Sequence, residues 1–382
     1  MRMRGLVAVS MGMALSVWAG GARAHDGHPG HEGAKTRTVV LAQAQTQTPA
    51  EEQAVKDAPG ITGQAPYRFK VRIRDVKLPK SAWGDLRKAH GGFAVDNRPG
   101  KGEAYFGLPN TGILRVNADM TQVDILDASP ELKDGGTMHN ASIWYDAKGT
   151  PFLVFPGVDR AAIYTTDLDG KILNKLPAPT VEQMTVPAVK EYFAQGKFVP
   201  TDAVHLNGLY YISTGYSALD YVLTAKVTST EPFAAEWNGL AFGGKGDADG
   251  QFQTGHGITV HPDGKSLVVA DRPKNRLERF TPEGAFIDKY MLPEGTLPCD
   301  SDYVGGYTLV PCLEGADKTK GAPIYLIKDG QIVSTIMVKE DLGLFRFTHV
   351  HNAVLREVDG KLFIIAQAWN PGDFVVLEQV KE

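Results

Sequence analysis

The sequence is poor in the features that mark several common classes of protein. Cysteine occurs only twice in 382 residues, at Cys299 and Cys312. That excludes a disulfide-dense scaffold, and with no CxxC spacing it excludes the usual zinc-thiolate pattern. Two cysteines so close in sequence predict one disulfide in an oxidising compartment, worth roughly 3 kcal/mol by chain entropy. Dense blocks of Lys and Arg are also missing, and the formal net charge is −4. Nucleic acid is therefore not an expected partner. Past the N-terminus no run approaches the ~20 apolar residues that span a bilayer, so no membrane span is expected. Helical periodicity is scarce as well. "VPAVKEYFAQG" (186–196) is the one stretch that reads as a helix.

What is present begins with a targeting pattern. "MRMR" is a positive n-region, "GLVAVSMGMALSVWAGG" an apolar h-region, and Ala22-Arg23-Ala24 an A-x-A cleavage site. Residues 1–24 read as a cleaved signal, so the mature chain is expected in the periplasm or secreted. Cleavage after Ala24 exposes "HDGHPGHEG", with His25, His28 and His31 at every third position. Residues 25–65 lack the apolar content to pack and read as a disordered tail and linker. The three histidines can capture Zn²⁺ or Cu²⁺, or the tail is a solvated leader.

From residue 66 to 382, strand-like runs alternate with turn signals at a period of roughly 40 residues, the spacing of propeller blades. Six units start near His90, near His139, at "PTDAVHLNGLYYISTGY", at "TGHGITVHPDGKSLVVAD", at "CDSDYVGGYTLVPC" and at "THVHNAVLREVDGKLFIIAQAW". The last unit runs out one strand short of the usual four. "YRFKVRIR" (67–74) alternates strictly, with Tyr67, Phe69, Val71 and Ile73 on one face. The expected fold is all-β: a six-bladed β-propeller whose last blade is closed by this N-terminal strand.

Innermost strands of a propeller converge on a central channel. His139, His256 and the pair His349/His351 stand at the same relative place in units two, four and six. Alternate blades of six lie a third of a turn apart, so three imidazoles arriving this way make a three-fold metal site with room for water or substrate. His351 is the expected ligand, with His349 the alternate. His90, His205 and His261 fall outside the matched place and read as structural or surface residues.

These motifs resemble the peptidyl-α-hydroxyglycine α-amidating lyases and the NHL-type propellers. The likeness runs in order across most of residues 85–380. "GQFQTGHGITVHPDGKSLVVADRPKNRLERF" is similar to the lyase family's fourth blade, "FVPTDAVHLNGLYYISTGY" to its third and "FTHVHNAVLREVDGKLFIIAQAW" to its last. The resemblance implies a six-bladed propeller and a catalytic zinc on His139, His256 and His351. It also implies a catalytic Tyr216 and a substrate-site Arg272. Two positions depart from the family. Gly91 stands where "HRG" supplies a substrate arginine, and Asn352 stands where an aspartate holds a structural calcium, so Ca²⁺ is not carried over. The expected function is a zinc-dependent, lyase-like enzyme acting on a small or peptide substrate. Two alternatives stay open: a non-catalytic zinc or copper carrier with a metal-transfer partner, and a protein-interaction propeller.

Overall fold

A computed structural model describes residues 58–74, 77–178, 181, 187–195 and 197–381. The expected signal segment and the histidines of the tail, His25, His28 and His31, lie outside the described residues. Five four-stranded antiparallel sheets and one five-stranded sheet follow one another along the chain. They are the six blades of a propeller. Their first strands are Ala94–Val95, Ser142–Tyr145, Asp202–Leu206, Gly255–Val260, Asp302–Val304 and Val350–Val358, for blades 1 to 6.

Blade 4 shows how the sequence makes each sheet. The strand Leu267–Asp271, apolar up to its last residue, is buried at every position, as a strand covered on both faces must be. The turn before it is held by Asp263, whose Oδ1 accepts Lys265 N at 2.7 Å and Ser266 N at 2.9 Å. The outermost strand, Phe286–Met291, is mostly exposed. Hydrophobic clusters lie between successive blades. Leu206 and Tyr211 of blade 3, for example, pack with Ile258, Leu267 and Phe280 of blade 4.

The N-terminal strand Tyr67–Arg74 pairs antiparallel with the last strand, Asp373–Val380, with Arg68 opposite Val380 and Lys70 opposite Glu378. Tyr67, Phe69 and Val71 pack into the core between blades 5 and 6. A register shift between Val71 and Ile73 turns Ile73 to the other face, into the core shared with blade 1, so the single apolar face expected from the sequence ends at that bulge. The sheet extends further than expected. Thr62–Gln64 folds back on this strand and adds a fifth, so regular structure starts before residue 66. Polar side chains explain it. Gln64 N donates to Ser334 Oγ at 3.0 Å, Thr335 N to Gln64 Oε1 at 2.7 Å, and Thr62 Oγ1 to Asp341 Oδ2 at 2.8 Å.

The helix expected at 186–196 is present as Pro187–Gln195. Two shorter ones, Trp83–Leu86 and Val338–Leu342, carry no helical periodicity that a sequence reading could use. Among the described residues no helix is long and apolar enough to cross a membrane.

Candidate metal centre

His256 and His351 on the first strands of blades 4 and 6, and His139 just before that of blade 2, come together, all fully buried. Ring centroids are 4.8 Å apart for His139–His256, 4.6 Å for His139–His351 and 4.9 Å for His256–His351, a nearly equilateral triangle. Local backbone aims two of these rings. The ladder of blade 4 shifts register between Gly255 and Ile258, and that of blade 6 between Val350 and Asn352. Such bulges re-aim a side chain out of the regular alternation. In blade 2, His139 N donates to Pro156 O at 2.8 Å.

The other three blades supply the acceptors. His139 Nδ1 donates to Thr201 O of blade 3, His256 Nδ1 to Cys299 O of blade 5 at 2.7 Å, and His351 Nδ1 to Gly91 O of blade 1 at 2.8 Å. A carbonyl can only accept, so each Nδ1 carries the proton and each Nε2 presents a lone pair. This is the tautomer a metal ligand needs, held by the outer partner that usually orients a ligating imidazole. His351 Nε2 is buried with no hydrogen-bond partner. Burial and the neighbouring His139, His256 and Arg272 hold the His351 imidazole well below its ordinary pKa. Burial, Arg272 and His139 do the same to His256. Both are neutral at physiological pH, the form that ligates. The donor set fits a divalent metal.

Tyr216 and Arg272 reach the same point. The Tyr216 hydroxyl lies 2.9 Å from His256 Nε2, 3.3 Å from His139 Nε2 and 3.3 Å from His90 Nε2. Arg272 donates from Nη1 to that hydroxyl at 3.1 Å and from Nη2 to His256 Nε2 at 2.7 Å. The loop carrying Tyr216 passes close over blade 4. A Cβ on Gly215 would stand 2.5 Å from Gly255 O, so only glycine fits there.

His90 requires a correction. It was read as structural or surface, yet its ring lies 4.5 Å from that of His139 and 4.3 Å from that of His351. One nitrogen each from His90, His139 and His351 lies within 4.8 Å of the others. His256, by contrast, turns its Nε2 to Arg272 and Tyr216. Two ring triangles therefore share the His139–His351 edge, and among the described residues it is the one with His90 that brings three ligand nitrogens within 4.8 Å of one another. His90 escaped the sequence reading because the matched places were taken from units two, four and six, and His90 stands in unit one. The other outlying histidines are where they were expected. His205 stacks on Trp144 at 3.8 Å, and His261 pairs with Asp263 at 3.1 Å. His349 stays outside the cluster, with Nδ1 donating to Leu313 O at 3.0 Å.

The expected disulfide is absent: Cys299 and Cys312 are both free and buried. Cys299 N donates to Pro311 O, and Cys312 bridges Pro298. The two cysteines are thus one step out of register and point to opposite faces. Cys312 joins the core between blades 4 and 5, while Cys299 Sγ accepts from Arg272 Nη2 at 3.1 Å.

One residue further along the inner strands, polar side chains fill the channel. Asn140 Nδ2 donates to Asp202 Oδ2 at 3.2 Å and Asp300 Oδ2 at 3.3 Å, and Asn352 Nδ2 to Asp300 Oδ2 at 2.9 Å. Asn352 also accepts Phe93 N at 3.0 Å, which ties the position of the family's calcium aspartate into this network. Burial pushes Asp202 up to about 7, and burial with the Asp202 charge pushes Asp300 well above the ordinary carboxylate range. Asp202 and Asp300 of this layer line a cavity of about 250 Å³. Sequence reasoning missed it, because two aspartates in separate blades carry no local motif. At Gly91 a Cβ would meet Met138 O at 2.7 Å, so this backbone is closed to the arginine of the resembled family.

No protein-family model matches the chain. A curated relative, the E3 ubiquitin-protein ligase TRIM71 of Bos taurus, is 47% identical over 51 residues, which are 13% of this chain and 6% of TRIM71. The chain thus spans a small fraction of that relative. Among solved structures, a gluconolactonase of Xanthomonas campestris is 16% identical over 84% of this chain and 95% of that one, with a TM-score of 0.49. A catalytically inactive virginiamycin B lyase of Staphylococcus aureus, solved with quinupristin, is 13% identical over 82% and 100%, with a TM-score of 0.48. By its own strands the chain is a six-bladed β-propeller.

Proposed function

We propose that the channel holds one divalent ion on imidazoles of alternate blades, and that the chain is a metal-dependent lyase acting on a hemiaminal. The observation that carries this reading is the commitment of three Nδ1 donors to backbone carbonyls, with the Nε2 of His351 buried and unpartnered. Zinc suits such a set, with copper as the alternative. When bound, the ion supplies a Lewis acid that weakens the hold of a substrate hydroxyl on its proton. Tyr216 stands to take that proton on its phenolic oxygen. A free phenol ionises near pH 10, and the guanidinium of Arg272, 3.1 Å away, favours the phenolate. As the proton leaves, its electron pair forms the carbonyl and the C–N bond breaks. The amide nitrogen leaves with the electron pair of that bond and takes up a proton. For a peptidyl-α-hydroxyglycine the products are a peptide amide and glyoxylate.

The test is glyoxylate release from an α-hydroxyglycyl peptide by zinc-loaded protein, with Tyr216→Phe losing most of the rate while keeping the metal. No release by fully loaded protein would end the lyase reading. A second reading, metal carriage after export, is favoured by His90, because a fourth imidazole leaves less room for a substrate. It predicts transfer of bound zinc to an acceptor protein faster than to a chelator of equal affinity.

A further inference from the structure

His90 stands apart from the other three histidines. It is 8% exposed where they are 0%, so of the four it is the one that solvent reaches. His139, His256 and His351 are each anchored through Nδ1 to a carbonyl. His90 stacks on Trp369, with centroids 4.7 Å apart and planes at 28°. It meets His139 and His351 edge to face, at 76° and 69°. Its Nε2 lies 3.3 Å from the Tyr216 hydroxyl, which also touches the Nε2 atoms of His139 and His256. A ring held flat against an indole, with one nitrogen within 4.8 Å of one each on His139 and His351, is placed as a ligand rather than as a spacer. The buried, unpartnered Nε2 of His351 beside these imidazoles is costly unless a shared cation satisfies it.

We infer that His90 is the mouth-side ligand of the bound metal and yields its place to an incoming donor. The inference rests on the metal reading above but not on the lyase chemistry. Anything entering from this mouth meets His90 before the three buried rings. Sliding along Trp369 would open one coordination position without disturbing the carbonyl-anchored trio. The site is then closed at rest and open when occupied, which excludes adventitious donors until a ligand able to displace an imidazole arrives.

Cobalt(II) reports coordination through its visible spectrum, and azide is a small probe of an open position. Wild type loaded with cobalt should bind azide weakly, because His90 competes from within the protein. His90→Ala should bind azide at least tenfold more tightly and show a changed d–d spectrum before azide is added. Trp369→Phe, which keeps His90 but weakens its platform, should fall between the two and guards against misfolding of His90→Ala. His261→Ala, on the surface, should match wild type. Equal azide affinities and equal spectra in wild type and His90→Ala would overturn the inference while leaving the metal reading intact. A His90→Ala protein that is folded but takes up no cobalt would overturn the displaceable role. Wild type that binds no cobalt would overturn the metal reading itself.

Discussion

Gly91→Ala is a single methyl group that should disturb fold and metal together. The new Cβ would stand 2.7 Å from Met138 O and 3.1 Å from Phe106 Cε2. Neither neighbour yields easily: one is backbone and the other a fully buried ring. Forced overpacking of this kind costs about 1–3 kcal/mol. In a chain of this size that is a fall of a few degrees in Tm. The relief available is a shift of the Gly91 segment, and Gly91 O is the acceptor that orients His351 through Nδ1. Loss of such an outer partner lowers metal affinity about 10–100-fold. Urea unfolding of the metal-free protein reads the first effect, and zinc competition against a chelator reads the second. The control is Gly84→Ala in the helix Trp83–Leu86, where a Cβ meets nothing within 4 Å. It should be neutral, or stabilising by up to about 1 kcal/mol. Gly91→Ala with wild-type stability and wild-type zinc affinity would refute both the packing argument and the role given to the carbonyls of the odd-numbered blades.

Three further outcomes are expected. His351→Ala and His139→Ala should lose zinc under conditions where wild type retains it, whereas His349→Ala should keep it; metal content after dialysis checks this. Burial pushes the His205 imidazole down to about 4, so the unfolded chain takes up a proton near pH 6.5 that the fold refuses. Relative to His205→Phe, wild type should lose stability as pH falls from 6.5 toward 4, by up to about 3 kcal/mol, with no difference above pH 7.5; denaturation at stepped pH measures it. Both cysteines should react with a thiol reagent only after unfolding, and added reductant should leave Tm unchanged.

Much of the architecture was legible because periodicity and turn chemistry are local. The turn at Asp263, the alternation of Tyr67 to Val71 and the repeat spacing each follow from residues close in sequence. The three matched histidines were legible because the repeat carries position from blade to blade. His90 was not, since it belongs to unit one and the argument drew only on the alternate units two, four and six. The carbonyls of Gly91, Thr201 and Cys299 leave no mark in a sequence, as every residue has one. The disulfide failed on register. Nearness in sequence made Cys299 and Cys312 look like partners, but a one-residue offset on paired strands sends them to opposite faces.

The closing strand has a consequence for when the metal can be taken up. His351 depends on Gly91 for its orientation, and the ring that sets them side by side is completed by the pairing of Tyr67–Arg74 with Asp373–Val380. A chain emerging N-terminus first displays His90 and His139 long before His351 exists. Until the final strand is released and pairs, those histidines are single, weak donors with no shared centre. On the proposed metal reading, holding an ion is therefore a property of the finished circle alone, and a metal-loaded molecule would be one that has already passed its own inspection for completeness.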